Sequence, residues 1–241
     1  MTNTPLLEVC VADAESLAAA IAGGADRIEL CSALELGGLT PAPGLMRLAA
    51  KAPIPVYAMI RPRSGDFVFS ADDLDIMRAD IDATGSAGLA GVVIGASRPD
   101  GTLDEDMLRH LRDRARGLGI TLHRAFDLVP DFSTALEAAI GLGIERILTS
   151  GGAVGASAGI AQLHALHDMA RGRISIMPGG GLTPSNIGDL LRAVPVTEVH
   201  SSCSLPRITT SKRVVSLNLA DRTHRRTDRS TVAGFKRALS G

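Results

Sequence analysis

Aromatic residues make up only 2% of the 241-residue chain: one Tyr, five Phe and no Trp. That scarcity argues against a single-stranded nucleic-acid platform, which stacks bases on aromatic faces. Neither charge sign dominates, since 25 Lys and Arg stand against 26 Asp and Glu for a formal net charge of -1. No global field concentrates a polyanion, and no nucleic-acid partner is expected. The one local basic run, RTHRRTDR at 222–229, reads as a solvated loop, with a phosphate patch as the lesser alternative. Cysteine is equally sparse. Cys10, Cys31 and Cys203 match neither a disulfide framework nor a zinc knuckle, so a reducing, cytoplasmic compartment is expected. The stretch MTNTPLLEVC has neither a cationic n-region nor an apolar h-region, and no run approaches the length of a membrane span.

What is present is apolar and punctuated. Hydrophobic residues make up 45% of the chain and glycine contributes 26 positions, which fits a globular domain with many turns. Eight short apolar runs alternate with helix-like stretches: 6–12, 27–31, 56–61, 91–96, 121–127, 146–150, 174–179 and 198–202. Between them the period predicts helices at 13–22, 71–84, 104–117, 132–142 and 158–170. Ser70 stands as a cap before Asp72 and Asp73, Pro184 opens another helical run, and Gly117, Gly141 and Gly172 are placed to end helices. Eight βα units without a linker point to an α/β fold, a single-domain TIM-type (β/α)8 barrel over 1–241; an open doubly wound sheet is the alternative. Residues 203–230 fall outside the repeat as a long loop or extra strand, the strand placed at RVVSLNL (213–219), and FKRAL (235–239) supplies the closing helix.

Barrel enzymes place their chemistry at the carboxyl ends of the strands. Taking every second strand residue inward brings Glu8, Cys10, Glu29, Cys31, Arg61, His123 and His200 to that mouth. Glu8, Glu29, Arg61 and His123 are candidates for acid/base work, and structural ion pairing is the competing reading. Arg124, beside His123, should point outward to surface acids. The loop RPRSGDF (61–67) offers Arg61, Arg63 and Asp66 for capture of carboxylate or phosphate, or as a salt-bridged loop. Gly179, Gly180 and Gly181 after the seventh strand, with Ser201 and Ser202 after the eighth, stand where many barrels bind an anion, and SGG at 150–152 would add donors. Closing the barrel makes the eighth, first and second strands neighbours, which gathers Cys10, Cys31 and Cys203 on one arc. Such thiols, with His200 as auxiliary, suit a soft ion such as Cu(I); buried packing is the competing reading.

The series EVCV, GGADRIELCSALELGGLTP, MIRPRSGDF, TLHRAFD, RILTSGG, IMPGGG and EVHSS resembles the successive signatures of the CutC family, the so-called copper homeostasis proteins, over nearly the whole chain. The resemblance implies a TIM-type barrel, a cytosolic protein, a homodimer or higher homo-oligomer, and copper bound through Cys10 and Cys31. Cys203 and the Gly-rich SGGAVGASAG stretch look like departures from the family pattern. Two functions stay open at this stage: Cu(I) binding for copper homeostasis, and an enzyme acting on a small anionic, phosphorylated or sugar-like molecule.

Overall fold

The computed structural model describes residues 4–240; residues 1–3, part of the amino terminus read above, and residue 241 lie outside the described residues. Eight strands run in chain order: β1 (Leu6–Val11), β2 (Arg27–Leu30), β3 (Val56–Met59), β4 (Gly91–Ile94), β5 (Gly119–Leu122), β6 (Arg146–Thr149), β7 (Ser175–Pro178) and β8 (Glu198–Ser201). All their pairings are parallel, in the order β7-β6-β5-β4-β3-β2-β1-β8, and β7 lies against β8, so the sheet curls into a nearly closed barrel. The strands alternate with α1 (Ala14–Gly23), α2 (Pro43–Ala49), α3 (Ala71–Ala87), α4 (Glu105–Arg114), α5 (Phe132–Gly141), α6 (Ile160–Ala170) and α7 (Ile187–Ala193). This is the (β/α)8 barrel that the repeat count predicts.

Local chemistry sets the helix ends. Ser70 caps α3 through a reciprocal box with Asp73, each side chain bonding the other's backbone N–H. One expected stop and one expected start shift. Gly141 is the last residue of α5 and the left-handed turn falls to Gly143, while Pro184 sits in the turn before α7 rather than within its first turn.

The segment after β8 corrects the sequence expectation. RVVSLNL forms no strand: residues Lys212–Ser216 are the short helix α8, capped by Ser211. The added strands are instead β9 (Ser204–Ile208) and β10 (Thr223–Thr227), an antiparallel hairpin, so the basic run 222–229 is largely strand and not a loop. Arg226 ties the hairpin to Asp13, the cap of α1, and to Glu15 in its first turn, and α9 (Arg229–Ser240) then packs on α1 and α7. Val232, Phe235 and Leu239 are its buried face, spaced three and four apart as a one-sided helix requires.

The layer between strands and helices is apolar, from Leu7, Val9 and Val11 through Ile28, Leu30, Val92 and Ile94 to Val199. The inside of the barrel is not. There the Tyr57 ring lies against the bare backbone of Gly91 and Gly119, where an added Cβ would stand 2.2 and 2.1 Å from ring carbon and hydroxyl. Gly91→Ala is expected to cost about 1–3 kcal/mol through this overlap. Urea unfolding measures it, and an unchanged midpoint would mean that the ring moves freely aside.

Candidate functional site

Glu8 organises the barrel interior. It stands in register with Arg27 on β2 and with His200 on β8, and each neighbour takes one of its oxygens. Arg27 Nε bonds Oε2, while His200 Nδ1 lies 2.8 Å from Oε1. Arg27 also reaches Glu198, which meets Arg146 at 3.3 Å, and Arg146 and Arg27 both lie over the Tyr57 ring. Tyr57 and Arg146 in turn meet Glu145, exposed at the far end of the barrel. A chain of alternating charges therefore threads the barrel from the mouth to its opposite end.

Above this chain, Cys10, Glu29 and His200 present ligand-type atoms that all lie within 4.8 Å of one another. Cys10 and Glu29 are register neighbours on β1 and β2, which explains their proximity. Cys31 stays outside this set. It is wholly buried beside Tyr57, Met59 and Val93, with its sulfur 3.5 Å from Glu29 Oε2, and burial and the Glu29 charge push its thiol well up. Cys203 sits against the apolar core at the end of the same arc, its thiol raised by burial to about 11.

A cavity of about 530 Å3 opens at the strand ends, lined by Cys10, Glu29, Arg61, His123, His200 and Cys203 among others. Arg61 is 4% exposed, and among the described residues no carboxylate reaches within 4.0 Å of it. Its guanidinium donates to the carbonyls of Leu36, Gly38 and Gly65 and stacks over Phe67, leaving Nε without a partner. The His123 ring lies 4.8 Å from that of Phe67. Its Nδ1 accepts the Ala125 N–H, so the neutral ring carries its proton on Nε2, and that atom has no partner. Burial, with the charge of Arg61, drives its pKa down to about 3, so the ring is neutral at pH 7.

The two carboxylates are driven apart. Burial alone raises Glu8, but the bond from His200 and the charge of Arg27 outweigh it and hold the carboxyl at about 2. Glu29 is raised, by burial first and by the negative charge of Glu8, with His200 opposing. His200 itself lies well above its ordinary value: burial works against the cation, yet Glu29 first, then Cys10 and the bond to Glu8, outweigh it. Such divergent environments are how one site holds both an ionised and a proton-holding carboxyl.

Other candidates are distributed unevenly. Arg63 is held outside the cavity by Asp66, Asp73 and the Val68 carbonyl, a salt-bridged loop. Gly180, Gly181, Ser201 and Ser202 line the cavity; Gly179 does not, being packed against Leu148 and His200. Arg124 corrects its expectation: it bonds Asp127 and Ser150 over the mouth and lines the cavity instead of pairing with distant surface acids. Sequence reading passed over Arg27 and Glu198, although each lies two residues before an inward-facing candidate and the same alternation marks both. Phe67 and Arg225 gave no such signal, because loop and hairpin conformation bring them in.

A (β/α)8 barrel with a polar, cationic mouth is thus the class to which this protein belongs. The CutC family model matches residues 5–205. The chain is 57% identical over 237 residues to a CutC family protein of Sinorhizobium medicae, covering 98% of this chain and 97% of that one. It is 62% identical over 201 residues to one from Caulobacter vibrioides, covering 83% and 82%. A solved CutC structure from Streptococcus agalactiae, provisionally named for copper homeostasis, superposes with a TM-score of 0.79 at 30% identity, covering 82% of this chain and 98% of that one. The chain belongs to the CutC family. Among the described residues no helix is long and apolar enough to cross a membrane.

The Glu8 environment makes stability depend on pH in a defined direction. Its folded pKa lies below the ordinary 4.5, so its contribution is complete above that value and lost as pH falls from 4.5 toward 2. His200 acts oppositely: its contribution is complete below 6.5 and lost as pH rises through its raised value. Glu8→Gln, which leaves Arg27 with Glu198 as its remaining carboxylate and takes the carboxylate from His200 Nδ1, is expected to cost about 3–5 kcal/mol at neutral pH. It should also flatten the acid limb of a stability profile measured by denaturant unfolding, whereas parallel acid limbs would show that the carboxylate is not held down.

Proposed function

We propose that the mouth is the active site of an enzyme that moves a proton on a small anionic substrate. One observation carries this reading: Glu29 Oε1, Arg61 Nε and His123 Nε2 are buried, lack a partner, and belong to residues lining a single cavity. Leaving buried polar atoms unbonded is costly, so a ligand supplying an anion, an acceptor and a transferable proton completes the set. Arg61, a buried cation facing no carboxylate among the described residues, anchors the anionic group. Glu29 is the acid/base group. The neutral His123 donates its Nε2–H to oxygen on which charge develops, without itself losing the proton. His200, bonded to Glu8, stands 3.9 Å from Glu29, and each of His200 and Glu29 favours the charged form of the other.

The proton must first leave Glu29 for it to act as a base, so kcat/KM should fall as pH drops through the raised Glu29 value. Once a thermal-shift screen of small carboxylates and sugar phosphates identifies a ligand, Glu29→Gln should keep binding and lose about 10³-fold or more in turnover. Turnover equal to the parent's would remove the acid/base role.

A second reading, copper homeostasis through Cu(I) binding, rests on the Cys10, Glu29 and His200 cluster. The donor set fits this soft ion only in part: one thiol and one imidazole suit it, while a carboxylate does not, and Cys31 lies outside the cluster. Copper would here be cargo. An anaerobic Cu(I) titration against a competing chelator should lose binding with Cys10→Ser and keep it with Cys31→Ser; binding indifferent to both substitutions would count against a metal site. A cytosolic location is proposed from three unpaired cysteines. A homodimer or higher homo-oligomer is proposed from exposed Ile208 at the end of β9 and Leu217 and Leu219 between β9 and β10.

A further inference from the structure

The basic run 222–229 gains a use from the hairpin. In β10, Arg225 and Arg226 point to opposite sides of the strand, as pleating requires. Arg226 turns to Asp13 and Glu15 at the start of α1, which pins the strand. Arg225 turns the other way and lines the mouth cavity, its Nε 2.9 Å from Ser204 Oγ and its Nη2 donating to the Ser204 carbonyl. These contacts hold the side chain without neutralising it, and among the described residues no carboxylate lies within 4.0 Å of it.

Bare glycine backbone and short hydroxyls form the cavity wall around Arg225. Gly180 and Gly181 have φ of +94° and +73°, and an added Cβ at Gly180 would meet the Arg124 guanidinium at 3.4 Å. Ser202 adds a hydroxyl, 2.8 Å from that of Ser204. Of the lining residues, three are arginines and one, Glu29, is an acid. Arg124 is balanced by Asp127, which leaves Arg61 and Arg225 as two unbalanced cations on one cavity. Arg61 enters from the end of β3 and Arg225 from the hairpin beyond β8, so they approach it from different elements.

We propose that Arg225 is a second anion anchor, and that the substrate carries a phosphate group held by Arg225, Ser202 and the Gly180–Gly181 turn in addition to the group held by Arg61. The inference rests on the reading of the mouth as a substrate site and names its substrate class, a phosphorylated compound with a second anionic or strongly polar group. Arg225 lies beyond residue 205, where the family match ends.

Inorganic phosphate is the probe, titrated into the full chain and followed by calorimetry, with acetate titrated in parallel. The parent should bind phosphate saturably. Arg225→Ala should weaken phosphate by about tenfold or more while Arg225→Lys keeps part of the affinity, since a point charge survives without the fork. Acetate affinity should be unmoved by Arg225→Ala, and Arg222→Ala, an exposed cation of the same run outside this cavity, should leave phosphate affinity unmoved. Absence of saturable phosphate binding in the parent, equal affinity in parent and Arg225→Ala, or an equal loss in Arg222→Ala would each overturn the proposal. Glu29→Gln should leave phosphate affinity intact, so failure of the acid/base reading and failure of the phosphate anchor give different results.

Discussion

Everything at the mouth depends on the ion pair between Glu8 and Arg27. A barrel interior is usually closed by stacked aliphatic side chains. Here the pair and its continuation through Glu198, Arg146 and Glu145 fill that space with alternating charge, and the chain of contacts reaches exposed surface at the end opposite the site. Buried charge on this scale holds only if every member is partnered. Glu8 meets the condition by giving one oxygen to each neighbouring strand, and this holds the His200 ring at the base of the cavity. The state of Glu29 follows: burial and Glu8 favour its protonated form, His200 its ionised one.

The same contrast separates structure from chemistry among similar residues. Glu8 and Glu29 both lie inside the barrel, yet the first is saturated with partners and the second keeps one oxygen free. Arg27 and Arg61 are both buried; Arg27 is bracketed by two carboxylates, while Arg61 meets only carbonyls and a ring face. Partner saturation, not burial or residue type, marks which groups await a ligand.

Much of this was legible in the sequence because strands have a period of two. The alternation in 27–31 puts Glu29 and Cys31 inward, and eight such runs with intervening helical stretches fix a barrel whose closure brings β8, β1 and β2 together. What the sequence does not resolve depends on more than one element. The sequence reads Cys10 and Cys31 as equivalent strand-end thiols, but Cys31 packs beside Tyr57 and Met59 while Cys10 faces the cavity, a distinction set by cross-strand neighbours. The strand misplaced at 213–219 failed for another reason: its β-branched pair is outweighed by the Ser211 cap, which starts a helix there, and the true strands carry polar residues that gain their pairing only from each other.

The most direct test is a carbon-detected NMR titration of the Glu29 side-chain carboxyl in the folded protein. If the mouth holds a proton-carrying carboxyl, its midpoint will lie above the ordinary 4.5. A midpoint at or below that value would mean that Glu29 is one more structural carboxylate, and the acid/base account would fail.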